Sequence, residues 1–227
     1  MPMAIANLPT HSVEKRAKKI CHCYSRKESI EVSGLVAAVP QKQKRYSLEE
    51  YLALEAESEV KHEYRDGEII EMAGGTTNHN KLAGKLYALL LMELADQNCE
   101  VYIGDVRLWI PKTRKYTYPD VMIVRDEPIY TDTTKMTITN PIVIAEVLSS
   151  STQNYDQGEK FDAYRSIPNF SEYLLIDQYQ CYVKHFAKTA ENQWLLTDCK
   201  DINTTISFAS IDFKLALAEL YKSIVFK

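Results

Sequence analysis

The chain has 227 residues, 45% hydrophobic and 26% charged, with 27 Lys and Arg against 31 Asp and Glu. That is the make-up of an ordinary globular protein with one sizeable core and room for an appendage. No apolar run approaches the roughly 18 residues of a membrane helix, and the N-terminus lacks the basic-then-apolar order of a secretory signal, so a cytoplasmic location is expected.

Residues 1–45 carry nine Lys and Arg against three Glu, a local balance of +6, which leaves 18 basic and 28 acidic residues for the remainder. The basic leader shows no sustained period and reads as a poorly ordered N-terminal extension, or as a segment that steers the protein to nucleic acid. Five cysteines, an odd set without repeated spacing, read as reduced thiols. Cys21-His22-Cys23 has ligand chemistry but no second ligand pair, which argues against zinc.

The folded domain is expected over 46–227. Ser47 with Glu50 forms a capping box ahead of Leu48, Tyr51, Leu52 and Leu54 on a helical stripe. Asp66-Gly67 lies between two short strand-like runs and signals a hairpin. Leu82, Leu86, Leu89, Leu90 and Leu94 recur at helical spacing and predict a long core helix with Asn78 as N-cap. Val101, Ile103, Val106, Leu108 and Ile110 nearly alternate, with a register slip around Asp105 that predicts a bulge. The runs "VMIV" and "IVIAEVL" are apolar on both sides and belong at the centre of a covered sheet. "DQGEKFDAYRSI" reads as a helix, "EYLLID", "CYVKHFA" and "QWLLTD" as strands, and "LALAELYK" as a closing helix. The predicted class is therefore α/β or α+β, with a mixed central β-sheet flanked by helices. No internal repeat, Walker loop, dinucleotide fingerprint or serine-hydrolase elbow is present.

Glu146 is the only charge inside an otherwise apolar strand. An unpaired buried carboxylate costs several kcal/mol, so it calls for a cation or metal. Asp120 stands at the mouth of another core strand, and two strands that each present a carboxylate can converge on one cation. Mg²⁺ suits such a pair because it keeps several waters and takes further ligands from a substrate phosphate. Lys160 follows on the next helix, where Asp156, Lys160 and Tyr164 share a face. The physical logic is metal-assisted phosphodiester hydrolysis. Blander readings stand beside it: Asp120 as a turn residue after Pro119, and Lys160 as a partner of Asp156 alone.

The stretches "HEYRDGEIIEMAGGTTNHNKLAGKL", "YTYPDVMIV" and "NPIVIAEVLSSSTQNYDQGEKFDAYRSIPNFSEYLLID" resemble the Uma-two family of restriction-endonuclease-like domains. That family is placed in the PD-(D/E)XK nuclease superfamily. The resemblance runs from about Tyr46 to about Phe208 and implies a restriction-endonuclease-like core with a Mg²⁺-dependent site, Mn²⁺ being an alternative, acting on DNA. It places Asp120 and Glu146 as metal-binding acids and Lys160 as a lysine moved onto the helix, since Leu148 stands where the superfamily lysine would be. It also implies catalytic assistance from Glu63, otherwise a solvated strand charge, and from His79, otherwise a helix-start residue with local hydrogen bonds. Tyr164 reads as packing. A homodimer would suit cleavage of both strands. The alternative is a catalytically inactive nuclease-fold module that binds nucleic acid or protein.

Overall fold

The computed structural model describes residues 44–226. Nearly all of the basic leader, with Cys21, His22 and Cys23, lies outside the described residues.

The first helix, α1 (Leu48–Glu57), starts on the expected capping box: the Ser47 side chain accepts from the Glu50 amide at 3.1 Å, and Glu50 accepts from the Ser47 amide at 2.7 Å. Strands β1 (His62–Arg65) and β2 (Glu68–Glu71) form the expected hairpin. Its turn needs positive φ at both central residues, and Asp66 (44°) and Gly67 (105°) supply it.

The long helix α2 (Thr77–Glu93) is capped by Thr76, whose hydroxyl accepts from the His79 amide at 3.1 Å. Asn78, the expected N-cap, instead lies in the first turn and donates to the Val225 carbonyl at 3.1 Å. Thr and Asn both cap well, so local preference does not separate them; tertiary contact does.

Strands β3 (Cys99–Ile103) and β4 (Arg107–Ile110) belong to different sheets. The expected bulge is thus a change of sheet, made at Gly104 with φ at 58°. Then come β5 (Lys115–Thr117), β6 (Val121–Arg125), β7 (Thr137–Ile138) and β8 (Val143–Leu148). A helical segment follows in three parts: α3 (Gln153–Tyr155), a π-turn (Asp156–Lys160) and α4 (Phe161–Tyr164). The remaining elements are β9 (Glu172–Asp177), β10 (Val183–Lys188), β11 (Trp194–Cys199), β12 (Thr205–Ser207), β13 (Lys214–Ala216) and the single turn α5 (Leu217–Leu220). The closing helix is shorter than "LALAELYK" because its first residues pair in β13.

The central sheet is mixed, six strands in the order β11-β10-β9-β8-β6-β3, with only β8 and β9 parallel. The two doubly apolar runs are β6 and β8, side by side at its middle. Alternation divides their side chains. Val121, Ile123, Val143, Ala145 and Val147 pack with Leu82, Leu86 and Leu90 of α2 and with α5. Met122, Val124, Ile144 and Leu148 pack with Phe161 and Tyr164 of α4 and with Leu108, Ile110 and Ile138 of a second, five-stranded sheet, β2-β1-β5-β4-β7. Burial of each such side chain is worth about 1.5–3 kcal/mol. Cys99, Cys181 and Cys199 are free thiols. Among the described residues no helix is long and apolar enough to cross a membrane.

Candidate functional site

The antiparallel register of β6 and β8 pairs Val121 with Ala145, so one step further Asp120 faces Glu146 across the strands. Glu146 projects from the β8 face that carries Ile144 and Leu148, toward the helical segment. Lys160 reaches it from the end of the π-turn, with Nζ 2.9 Å from Glu146 Oε1. The same Nζ lies 3.3 Å from Glu63 Oε1 and 3.5 Å from Asp156 Oδ1. The four side chains are only 4–6% exposed, so the lysine is shared among three buried carboxylates from β1, β8 and the π-turn. π-turns recur at functional sites.

Glu63 is therefore not a solvated strand charge, and Lys160 does more than pair with Asp156. Glu63 Oε2 also accepts from Arg65 at 2.8 Å. Tyr164 packs, as expected, and also donates its hydroxyl to Glu146 Oε1 at 2.7 Å. Both these contacts of Glu146 fall on Oε1. Asp120 Oδ2 accepts from the Val147 amide at 2.7 Å and lies 3.1 Å from His79 Nε2. His79 thus sits against a site carboxylate as well as in its local cap. Gly75 allows this approach, since a Cβ there would stand 3.0 Å from His79 Nδ1.

Charge crowding shapes the titration. Burial pushes Glu146 up to about 8, and the nearby Asp120 and Asp156 add to this while Lys160 opposes it. Burial would lower Lys160, but Glu146, Glu63 and Asp156 outweigh it and hold the ammonium well above the ordinary lysine range. Glu63 is held below its usual value because Lys160 and Arg65 outweigh its burial. The hydrogen bond to Asp120 raises His79 above the usual imidazole range despite burial. Three carboxylates around Lys160, with Asp120 on the neighbouring strand, outnumber the Lys160 and Arg65 cations beside them, a donor set that fits a divalent cation. Among the described residues no group of three or more His, Cys, Asp or Glu side chains is placed to enclose a metal ion. The fit is accordingly to an ion held by a carboxylate pair, with water and substrate completing its shell.

These side chains line a cavity of about 570 Å³, which Met72–Gly75 and Ser149–Thr152 help to wall. Leu148 is buried in the apolar cluster, and Lys160 is the lysine that meets Glu146. Asp156 and Tyr155, both on the cavity wall, were not singled out as site residues by sequence reasoning. The signal for Asp156 was its shared helical face with Lys160 and Tyr164; Tyr155 gave none.

The family described as "Putative restriction endonuclease", Uma2, matches residues 48–218. The chain belongs to the Uma2 family. It is similar to two proteins of Synechocystis sp. (strain PCC 6803). Uncharacterized protein sll1609 is 46% identical over 160 residues, covering 70% of this chain and 90% of the relative. Uncharacterized protein slr1290 is 34% identical over 180 residues, covering 79% and 93%. A solved structure described as a putative nuclease belonging to DUF820, from Anabaena variabilis, superposes with a TM-score of 0.64 at 17% identity. The superposition covers 78% of this chain and 98% of that one, and it extends the Uma2 assignment to the fold. Nuclease-type hydrolysis is the activity that the Uma2 description and this fold support.

Proposed function

We propose that the protein is a Mg²⁺-dependent DNA endonuclease that hydrolyses phosphodiester bonds, with Asp120, Glu146 and Lys160 at its centre and Glu63 and His79 assisting. The observation that carries this reading is Lys160 Nζ at 2.9 Å from Glu146, in a cavity wall that also holds Asp120 from the neighbouring strand.

Asp120 and Glu146 would hold the cation through the oxygens left by their contacts on Oδ2 and Oε1. Bound there, Mg²⁺ or Mn²⁺ would polarise the phosphoryl group and lower the pKa of a water. Lys160 keeps its proton, so it orients the attacking water or offsets transition-state charge and does not act as a base. Glu63 and Asp156 hold that ammonium in place. His79 fixes the orientation of Asp120.

The test is nicking and linearisation of supercoiled plasmid with Mg²⁺ or Mn²⁺, run beside Asp120→Ala and Lys160→Ala. Metal-dependent cutting that disappears in both variants is expected. Equal cutting by wild type and Asp120→Ala would trace the activity to a contaminant, and no cutting under any condition would favour a binding module.

A further inference from the structure

Next to the carboxylate cavity lies a second one, of about 590 Å³, and Arg65 and Tyr155 line both. Its cationic side chains are Arg45, Arg65 and Lys115. Lys115 is the unusual one: its side chain is 13% exposed, yet its acidic partner, Glu159, is 77% exposed and 3.6 Å away. Among the described residues this largely desolvated ammonium is thus matched only by a rim carboxylate that water screens. Both inner cations stand against one ring, the Arg65 guanidinium 3.4 Å and Lys115 Nζ 5.3 Å from the Tyr155 centroid. The Tyr155 hydroxyl is buried and has no hydrogen-bond partner among the described residues. Of the other acids lining this cavity, Asp66 is engaged by Arg114 Nε at 3.0 Å and Arg45 at 4.0 Å, and Glu68 is exposed at the rim.

We propose that this second cavity binds a backbone phosphate of the polynucleotide strand flanking the scissile bond, with Lys115 and Arg65 as its cationic partners. The inference rests on the nuclease reading above and adds a requirement for substrate beyond the reacting phosphate. An incoming backbone phosphate would displace Glu159 from Lys115, since it carries its single charge on two non-bridging oxygens that Lys115 and Arg65 can hold together, whereas Glu159 is a solvated rim carboxylate held, among the described residues, by Lys115 alone. Arg65, tied to Glu63 Oε2 at 2.8 Å, would couple occupancy of the subsite to the lysine-centred cluster. The wall shared through Arg65 and Tyr155 makes the two cavities neighbours along one strand.

The test is binding of a fluorescently labelled duplex 20-mer to the full chain in metal-free buffer, by anisotropy over a salt series. The variants are Lys115→Gln, Glu159→Gln and, as a charge control, Lys200→Gln, which lines neither cavity. Loss of one phosphate contact lowers the slope of log K against log salt by about 0.9 and weakens binding about tenfold at about 50 mM salt. That is expected of Lys115→Gln and not of Lys200→Gln. Glu159→Gln should tighten binding by about twofold or more, because the competing carboxylate is gone; a merely structural Lys115–Glu159 pair would not do this. The subsite is overturned if Glu159→Gln fails to tighten binding, if Lys115→Gln matches the control, or if wild type does not bind. Plasmid cutting with unchanged binding in these variants would leave the nuclease and remove the subsite. The expected binding changes without plasmid cutting would remove the nuclease and leave the subsite.

Discussion

Replacing Lys160 with Met keeps most of the buried stem and deletes the charge. Its Nζ lies 2.9 Å from Glu146, 3.3 Å from Glu63 and 3.5 Å from Asp156, so the variant takes the ammonium from three carboxylates that are 4–6% exposed, of which Glu63 keeps Arg65. Removing one partner of a buried ion pair costs about 3–5 kcal/mol. The carboxyls limit that loss by taking up protons, which makes the penalty pH-dependent. Without the ammonium, the folded pKa values of Glu146 and Asp156 rise further above the unfolded ones, and Glu63 loses the larger of the two charges that hold it down. A carboxyl raised in this way contributes stability that is fully present below its unfolded pKa and is lost as pH rises through its folded value. For Glu146, already pushed up to about 8, that window begins near the ordinary glutamate value and extends beyond 8 in the variant. Urea unfolding should therefore show Lys160→Met destabilised by about 3–5 kcal/mol at about pH 9 and by about 1–2 kcal/mol at about pH 5.5. Adding Glu146→Gln should return about 2 kcal/mol at the higher pH, read as the coupling in a double-mutant cycle. A penalty equal at both pH values, or a coupling below about 0.5 kcal/mol, would refute lysine-centred charge compensation.

Gly75→Ala should displace the His79 ring, because the added Cβ would meet Nδ1 at 3.0 Å and Cγ at 3.2 Å. If His79 orients Asp120, plasmid cutting should fall about tenfold while urea stability stays within about 1 kcal/mol; unchanged cutting would remove that role. Away from the site, burial alone would raise Glu172. His185, Ser210 and the amides of Ala209 and Ser210 outweigh it and hold the carboxyl below its usual range. A lowered carboxyl stabilises above its unfolded pKa and loses that contribution as pH falls through the folded value. Glu172→Gln should therefore cost about 1–3 kcal/mol at pH 7 and progressively less below about pH 4, measured by urea unfolding across that range. A cost independent of pH would mean that the charge itself is not what these donors hold.

The features legible in the residues are those decided within a few positions. The Ser47 capping box, the Asp66-Gly67 turn and the leucine stripe of α2 each state their own conformation, because caps, positive φ and the 3.6-residue period are local. β6 and β8 were legible as central strands because side chains apolar on both faces need cover on both. Where two local solutions compete, the reading slips, as with Thr76 over Asn78 and with a sheet change at Gly104 in place of a bulge.

The sequence by itself determined that a carboxylate inside "IVIAEVL" required a partner, and its spacing placed Asp156, Lys160 and Tyr164 on one face. Only the tertiary structure decided which charges meet. Glu63 arrives from a hairpin 83 residues before Glu146 and in another sheet, and no local period encodes its distance to Lys160. The cavity lined by Lys115 and Tyr155 is non-local in the same way, since its two inner residues come from a strand and a helical turn 40 positions apart. Burial then sets the chemistry: Glu63, Glu146 and Asp156 spread along an unfolded chain would titrate near their ordinary values, and folding forces the three to share Lys160 in a site that excludes most water.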